Sequence, residues 1–152
     1  MDAGSRFGSG RVHMAAVIRD DRGGFRCARS WVILKNCSSL FMEAEAMVHT
    51  VRWCVAENFS SLIFETDSLA LLKLVEGSDA MVISLQLMVE EIKSLSESVE
   101  NCHFTHVLRS GNAAAHSLAV FAGLNNLHNF VWRGNPPPCI ADTLFQDALA
   151  SE

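Results

Sequence analysis

The chain has 152 residues, 49% of them hydrophobic and 19% charged, with a formal net charge of −5. This excludes a disordered polypeptide and a scaffold too small to bury a core without staples. No run reaches the roughly 18 uninterrupted apolar residues of a membrane span, so no membrane association is expected.

Met1-Asp2-Ala3 reads as the last stub of a strand, and residues 4–10, rich in glycine and serine, as a loop. Residues 11–19 carry Val12, Met14, Val17 and Ile18 and read as a strand. Asp20-Asp21-Arg22-Gly23-Gly24 is a turn, and Phe25 to about Ile33 returns as the second arm of a hairpin. Residues 43–57 read as a helix, with Ala44, Met47, Val48, Val51 and Val55 on one face and Asn58 at its end. Leu62-Ile63-Phe64 reads as a buried central strand. Asp67-Ser68 caps a helix that runs through Leu69, Leu71, Leu72 and Val75 and stops at Gly77. Ser84 opens a helix with a stripe of Leu85, Met88, Val89, Ile92 and Leu95. Residues 102–108 read as a strand, and a last helix starts near Asn112. Beyond it the pattern fades, so the domain is expected to span residues 1–124. Residues 125–152 form a tail with a short helix, docking through Trp132, Ile140 and Leu144. A hairpin followed by alternating strands and helices implies a mixed sheet covered by helices.

Five cysteines, an odd number without CxxC spacing, point to reduced thiols in an intracellular protein rather than a zinc site or a disulfide framework. The N-terminus shows no signal-peptide pattern, and nothing distinguishes nucleus from cytoplasm. Charge is uneven. Residues 1–35 hold seven basic and three acidic residues, a net +4, and the remainder holds five and fourteen, a net −9. That suits local phosphate binding, and equally a solvated hairpin that happens to use arginine.

Three carboxylates stand at element ends: Asp2 on the first strand stub, Glu43 at the start of a helix, and Asp67 after an apolar strand. Acids scattered in sequence can converge from such ends, and carboxylate oxygens are the ligands Mg²⁺ takes. Singly, each has an ordinary role: a solvated terminal acid, an acid favoured by the helix macrodipole, and a helix cap.

Taken together the chain resembles the ribonuclease H type-1 domain, in its plant, retroelement-derived, reverse-transcriptase-like branch. The resemblance is carried by Asp2-Ala3-Gly4-Ser5, by Ala16-Val17-Ile18-Arg19-Asp20 with Gly23-Gly24, and by Met42-Glu43-Ala44. It continues through Ile63-Phe64-Glu65-Thr66-Asp67-Ser68 and through His106 to Asn112 running into Ala115-His116-Ser117-Leu118-Ala119. These segments keep the family's order over roughly residues 2–122. The resemblance implies an α/β, ribonuclease H-like fold: a mixed five-stranded sheet with helices on both faces. It also implies hydrolysis of the RNA strand of RNA–DNA hybrids with Mg²⁺ (Mn²⁺ as an alternative) by a monomer.

In the family's pattern the helix acid precedes an alanine and lies 24 residues before the strand-end aspartate; Glu43 satisfies this, 67 − 43 = 24, and Glu45 does not. Two residues turn about 200° around a helix, so the two acids point apart, Glu45 toward solvent. The resemblance thus assigns Asp2, Glu43 and Asp67 to the metal. His116 stands where the wider family has a fourth aspartate, four residues after Asn112. A neutral imidazole can bind a metal but adds no negative charge. Arg109 takes the place of a mobile histidine; it cannot act as a base but can hold a phosphate. Arg109 and Asn112 are therefore the expected substrate contacts. The family's first strand extends several residues before its aspartate, where only Met1 precedes Asp2, so this strand is expected to be truncated. The truncation and His116 leave an alternative open: a catalytically weak, domesticated domain that binds nucleic acid or a protein partner. Trp31, Trp53 and Trp132 read as packing residues rather than stacking platforms.

Overall fold

The computed structural model describes residues 2–5, 10–35, 38–76 and 83–150. In chain order the elements are strands β1 (Asp2–Ser5), β2 (Arg11–Arg19) and β3 (Phe25–Leu34), helix α1 (Ser39–Ala56), strand β4 (Ser61–Thr66), helices α2 (Leu69–Glu76) and α3 (Ile83–Glu97), and strand β5 (Asn101–His106). A 3₁₀ turn (Arg109–Asn112), helix α4 (Ala113–Leu124), strand β6 (Asn129–Arg133) and helix α5 (Pro138–Ala150) follow. The mixed α/β class is as expected. The chain divides into two compact units, Met1–Lys35 with Arg109–Glu152, and Asn36–Leu108. Among the described residues, no helix is long and apolar enough to cross a membrane.

The first unit is an antiparallel sheet in the order β1-β2-β3-β6. Its hairpin closes around Asp20, whose Oδ1 accepts from the backbone N–H groups of Arg22 (3.0 Å) and Gly24 (2.7 Å). Gly23 takes φ +81°, a conformation that favours glycine, and a Cβ on Gly24 would stand 2.6 Å from Asp20 Oδ2, so the Asp20 carboxylate would have to shift. The strand beginning at Asp2 runs on to Ser5, where the sequence had suggested loop from Gly4; pairing with β2 overrides the weak strand propensity of glycine and serine. Ala15 and Ala28 on the sheet let the alanine-rich α4 approach closely. Leu118, Ile140 and Leu144 then fill the core with Ala114 and Ala119.

Strand β6 was not anticipated, because five residues that begin at Asn129 and are followed by Gly134 give little periodicity to read. It is tied down by several bonds. Asn126 takes φ +55° and ends α4, and the Leu127 N–H donates to the Ala122 carbonyl at 2.9 Å. Ser30 Oγ donates to the Leu127 carbonyl (2.8 Å), His13 Nε2 lies 3.2 Å from His128 Nδ1, and Arg29 forks onto Asn129 Oδ1. Arg19 pairs with Asp147 of α5 at 2.9 Å.

The second unit holds α1, α2 and α3 with the parallel pair β4–β5. Helix α1 begins four residues earlier than periodicity suggested, because Ser38 caps it by accepting from the Phe41 N–H (3.2 Å). Its expected face holds: Ala44, Met47, Val48 and Val51 are buried. Arg52 pairs with Glu91 of α3. The expected stop of α2 at Gly77 lies outside the described residues. Strand β4 differs from the buried central strand expected: Phe64 and Thr66 are buried but Ile63 is 65% exposed, so the apolar run alternates between faces.

Candidate active site

The residues that the sequence singled out divide between the units. The first unit carries Asp2, Arg109, Asn112 and His116. Asp2 opens β1, and its register position is opposite Ala15, which belongs to the core that α4 completes. Arg109, exposed, opens the 3₁₀ turn. Asn112 closes that turn, is buried, and does not cap α4 with its side chain. His116 is half-buried on the first turns of α4, four residues after Asn112 and therefore on the same helix face.

The second unit carries Glu43 and Asp67. Because α1 starts at Ser39, Glu43 sits in the helix's second turn, not at its start, and its position owes little to the macrodipole. Its side chain is half-buried, and Oε2 is shut off from solvent. Glu45, expected to face solvent, is also half-buried, and burial pushes its carboxyl above the ordinary range. The reason is the breadth of the buried surface on α1, which takes in Ala46, Thr50, Trp53 and Cys54 beyond the single stripe.

Asp67 follows β4 and is half-buried. The cap of α2 is Ser68, not Asp67: Ser68 Oγ accepts from the Leu71 N–H at 3.2 Å. The turn around Asp67 is fixed from both sides. Thr66 Oγ1 accepts from the Ser68 N–H (3.1 Å), and the Thr66 carbonyl accepts from Val107 N–H (2.9 Å) across to the chain after β5. Thr66 is 1% exposed, so this turn is anchored in the interior. The Asp67 carboxylate is thereby not spent on helix capping. Thr66 and Ser68 hold this turn; the sequence offers Asp67-Ser68 together as the cap and singles out no role for Thr66.

Among the described residues, no group of three or more His, Cys, Asp and Glu side chains gathers closely enough to hold a metal ion; the Asp2 side chain is outside that set.

A family model described as reverse transcriptase-like matches residues 1–122. Among solved structures, the chain is similar to ribonuclease H1 of the halophilic archaeon Halobacterium salinarum NRC-1. The TM-score is 0.72 at 21% identity, covering 82% of this chain and 94% of that one. It is similar to LC11-RNase H1 in complex with an RNA/DNA hybrid (TM-score 0.71, 20% identity, 83% and 95% covered). It also resembles the N-terminal RNase H domain of Rv2228c from Mycobacterium tuberculosis (TM-score 0.69, 18% identity, 83% and 91% covered). A comparison with curated proteins finds no match. At these identities the structural likeness establishes the fold, and together with the family match it shows that the chain belongs to the reverse transcriptase-like family, as a ribonuclease H-type domain.

Proposed function

We propose that this domain binds RNA–DNA hybrids as a monomer and hydrolyses their RNA strand with the help of a divalent metal ion, Mg²⁺ or Mn²⁺. The observation that carries the reading is how the two acids of the second unit are held. Glu43 keeps one carboxylate oxygen away from water, and Asp67 sits on a turn locked by Thr66 and Ser68. An ionised carboxylate withdrawn from water is costly, and a cation beside it offsets that cost. Hard carboxylate oxygens are also the donor set that suits Mg²⁺. Asp2, Glu43 and Asp67 would hold the metal, which when bound supplies the positive charge that activates water and stabilises the leaving oxygen of a phosphodiester.

The remaining residues act on the substrate. Arg109, exposed on its turn, offers guanidinium donors to phosphate oxygens. Asn112, buried where the same turn ends, would support it by fixing the turn that presents Arg109. His116 in the fourth place can take or deliver a proton, yet brings no negative charge. The RNA/DNA hybrid bound by LC11-RNase H1 supports the class of ligand.

His116 is also the observation favouring a second reading: a domain of the same fold that binds nucleic acid or a protein partner with weak turnover. Incubating the purified protein with a labelled RNA–DNA hybrid in Mg²⁺, Mn²⁺ or EDTA separates the two. Cleavage in either metal and none in EDTA is expected, with His116→Asp faster than the parent. Hybrid binding in EDTA with no cleavage in either metal would replace the first reading by the second.

A further inference from the structure

Strand β6, Asn129-Phe130-Val131-Trp132-Arg133, lies beyond the residues 1–122 that define the family match. It ends the sheet order, paired on one side with Cys27–Trp31 of β3. Side chains alternate along a strand, so Phe130 and Trp132 share a face with their register partners Ser30 and Ala28. The two rings meet at 4.7 Å between centroids with a 54° tilt. Trp132 packs inward on the core of α4 and α5, whereas Phe130 is 44% exposed. A phenyl ring half in water at the end of a sheet does little for the fold.

The charges on the two strands themselves are of one sign. Strands β3 and β6 contain Arg26, Arg29 and Arg133 and no acidic residue. Arg26 is exposed, two residues before Ala28 and so on the aromatic face; Arg133 is exposed and Arg29 half-buried on the other face of the same edge. Arg29 is preset, its guanidinium 5.2 Å over the Trp31 ring and forked on Asn129. Asp147 of α5 is paired with Arg19.

We propose that the β3–β6 edge is a platform for single-stranded nucleic acid. One base stacks on Phe130, which leans on Trp132, and Arg26 and Arg133 take the flanking phosphates. An aromatic face within an arginine rim matches a polyanion whose bases are free to stack; a duplex keeps its base faces covered and could use only the arginines. The inference borrows its ligand class from the function proposed above but is independent of hydrolysis.

The test measures binding of the full chain to a fluorescein-labelled oligouridine of ~12 nucleotides in EDTA. Phe130→Ala is expected to weaken binding about tenfold and Phe130→Trp to restore it. Arg26→Ala is expected to lower the slope of log affinity against log salt by about 0.7. Because Arg26 and Phe130 are exposed, thermal melts of both variants serve as the fold control, and the salt slope stands even if Phe130→Ala melts early. Affinity and slope unchanged in both variants would overturn the platform, as would Phe130-dependent self-association in sedimentation without oligouridine binding. Hybrid cleavage without oligouridine binding sinks the platform and leaves the nuclease; Phe130-dependent binding without cleavage does the reverse.

Discussion

The two compact units differ most in charge. The unit of Met1–Lys35 and Arg109–Glu152 has nine basic and six acidic residues, a net +3. Asn36–Leu108 has three and eleven, a net −8. They also hold their charged groups differently. Among the described arginines of the basic unit, Arg11, Arg22, Arg26, Arg109 and Arg133 are exposed, and Arg19 and Arg29 are half-buried against partners. In the acidic unit Glu43 and Glu45 are half-buried along one helix and Asp67 is fixed by a hydrogen-bonded turn. A polyanion is attracted by the first arrangement and repelled by the second, while a small cation has the opposite preference. Under the function proposed above, the substrate contacts would come from the first stretch of chain and two of the three metal-holding acids, Glu43 and Asp67, from the second. Their perturbations should therefore separate.

The sharpest test of that separation is Asp67→Asn. Hybrid cleavage is expected to fall about a thousandfold, roughly 4 kcal/mol in barrier, while hybrid binding in EDTA stays within a factor of two or so. Equal loss of both would mean that one region serves both tasks. Next is Leu118→Ala, which empties a fully buried position under the sheet of the basic unit. It should cost about 3 kcal/mol in urea unfolding. A smaller effect is expected from Ser68→Ala, which removes the cap of α2 and should cost about 1 kcal/mol. It should also loosen Asp67 and lower cleavage more than melting temperature. The smallest effect belongs to Glu45→Gln. Burial raises the folded carboxyl above its unfolded value, so between those two values the folded state binds more protons and stability falls as pH rises. Glu45→Gln should flatten that slope and leave the protein slightly more stable at neutral pH, read from melting temperatures on either side of the window.

Local signals told most of the fold. The hairpin was legible because Asp-Asp-Arg-Gly-Gly is both a turn former and, through Asp20, its own hydrogen-bond acceptor. Helices α1, α3 and α4 followed from periodicity, though the start of α1 depended on a serine cap, Ser38, well before the apolar stripe that begins at Ala44. What could not be read were features decided by pairing. Residues 2–5 are a strand because a partner strand lies beside them, not because their own residues favour it, and Phe130-Val131-Trp132, though strand-favouring, make too short a run to read without the partner β3. For the site, spacing separated Glu43 from Glu45 but could not show that both are partly withdrawn from water, since that depends on which α1 residues are covered. Nor could it distinguish Asp67 from Ser68 as the cap, because both residue types accept from a helix N-terminus.

Strand β6 has a consequence for solubility. Strand β3 is ten residues long and carries Cys27, Trp31 and Ile33, with no lysine or proline to discourage another chain from adding to it. Without β6 its whole outer side would be an open template, and the loss of Ile140 and Leu144 would uncover the alanine-lined cleft over α4. A piece ending where the family likeness ends, at residue 122, should therefore aggregate, whereas the full chain keeps Cys27–Trp31 of that template occupied.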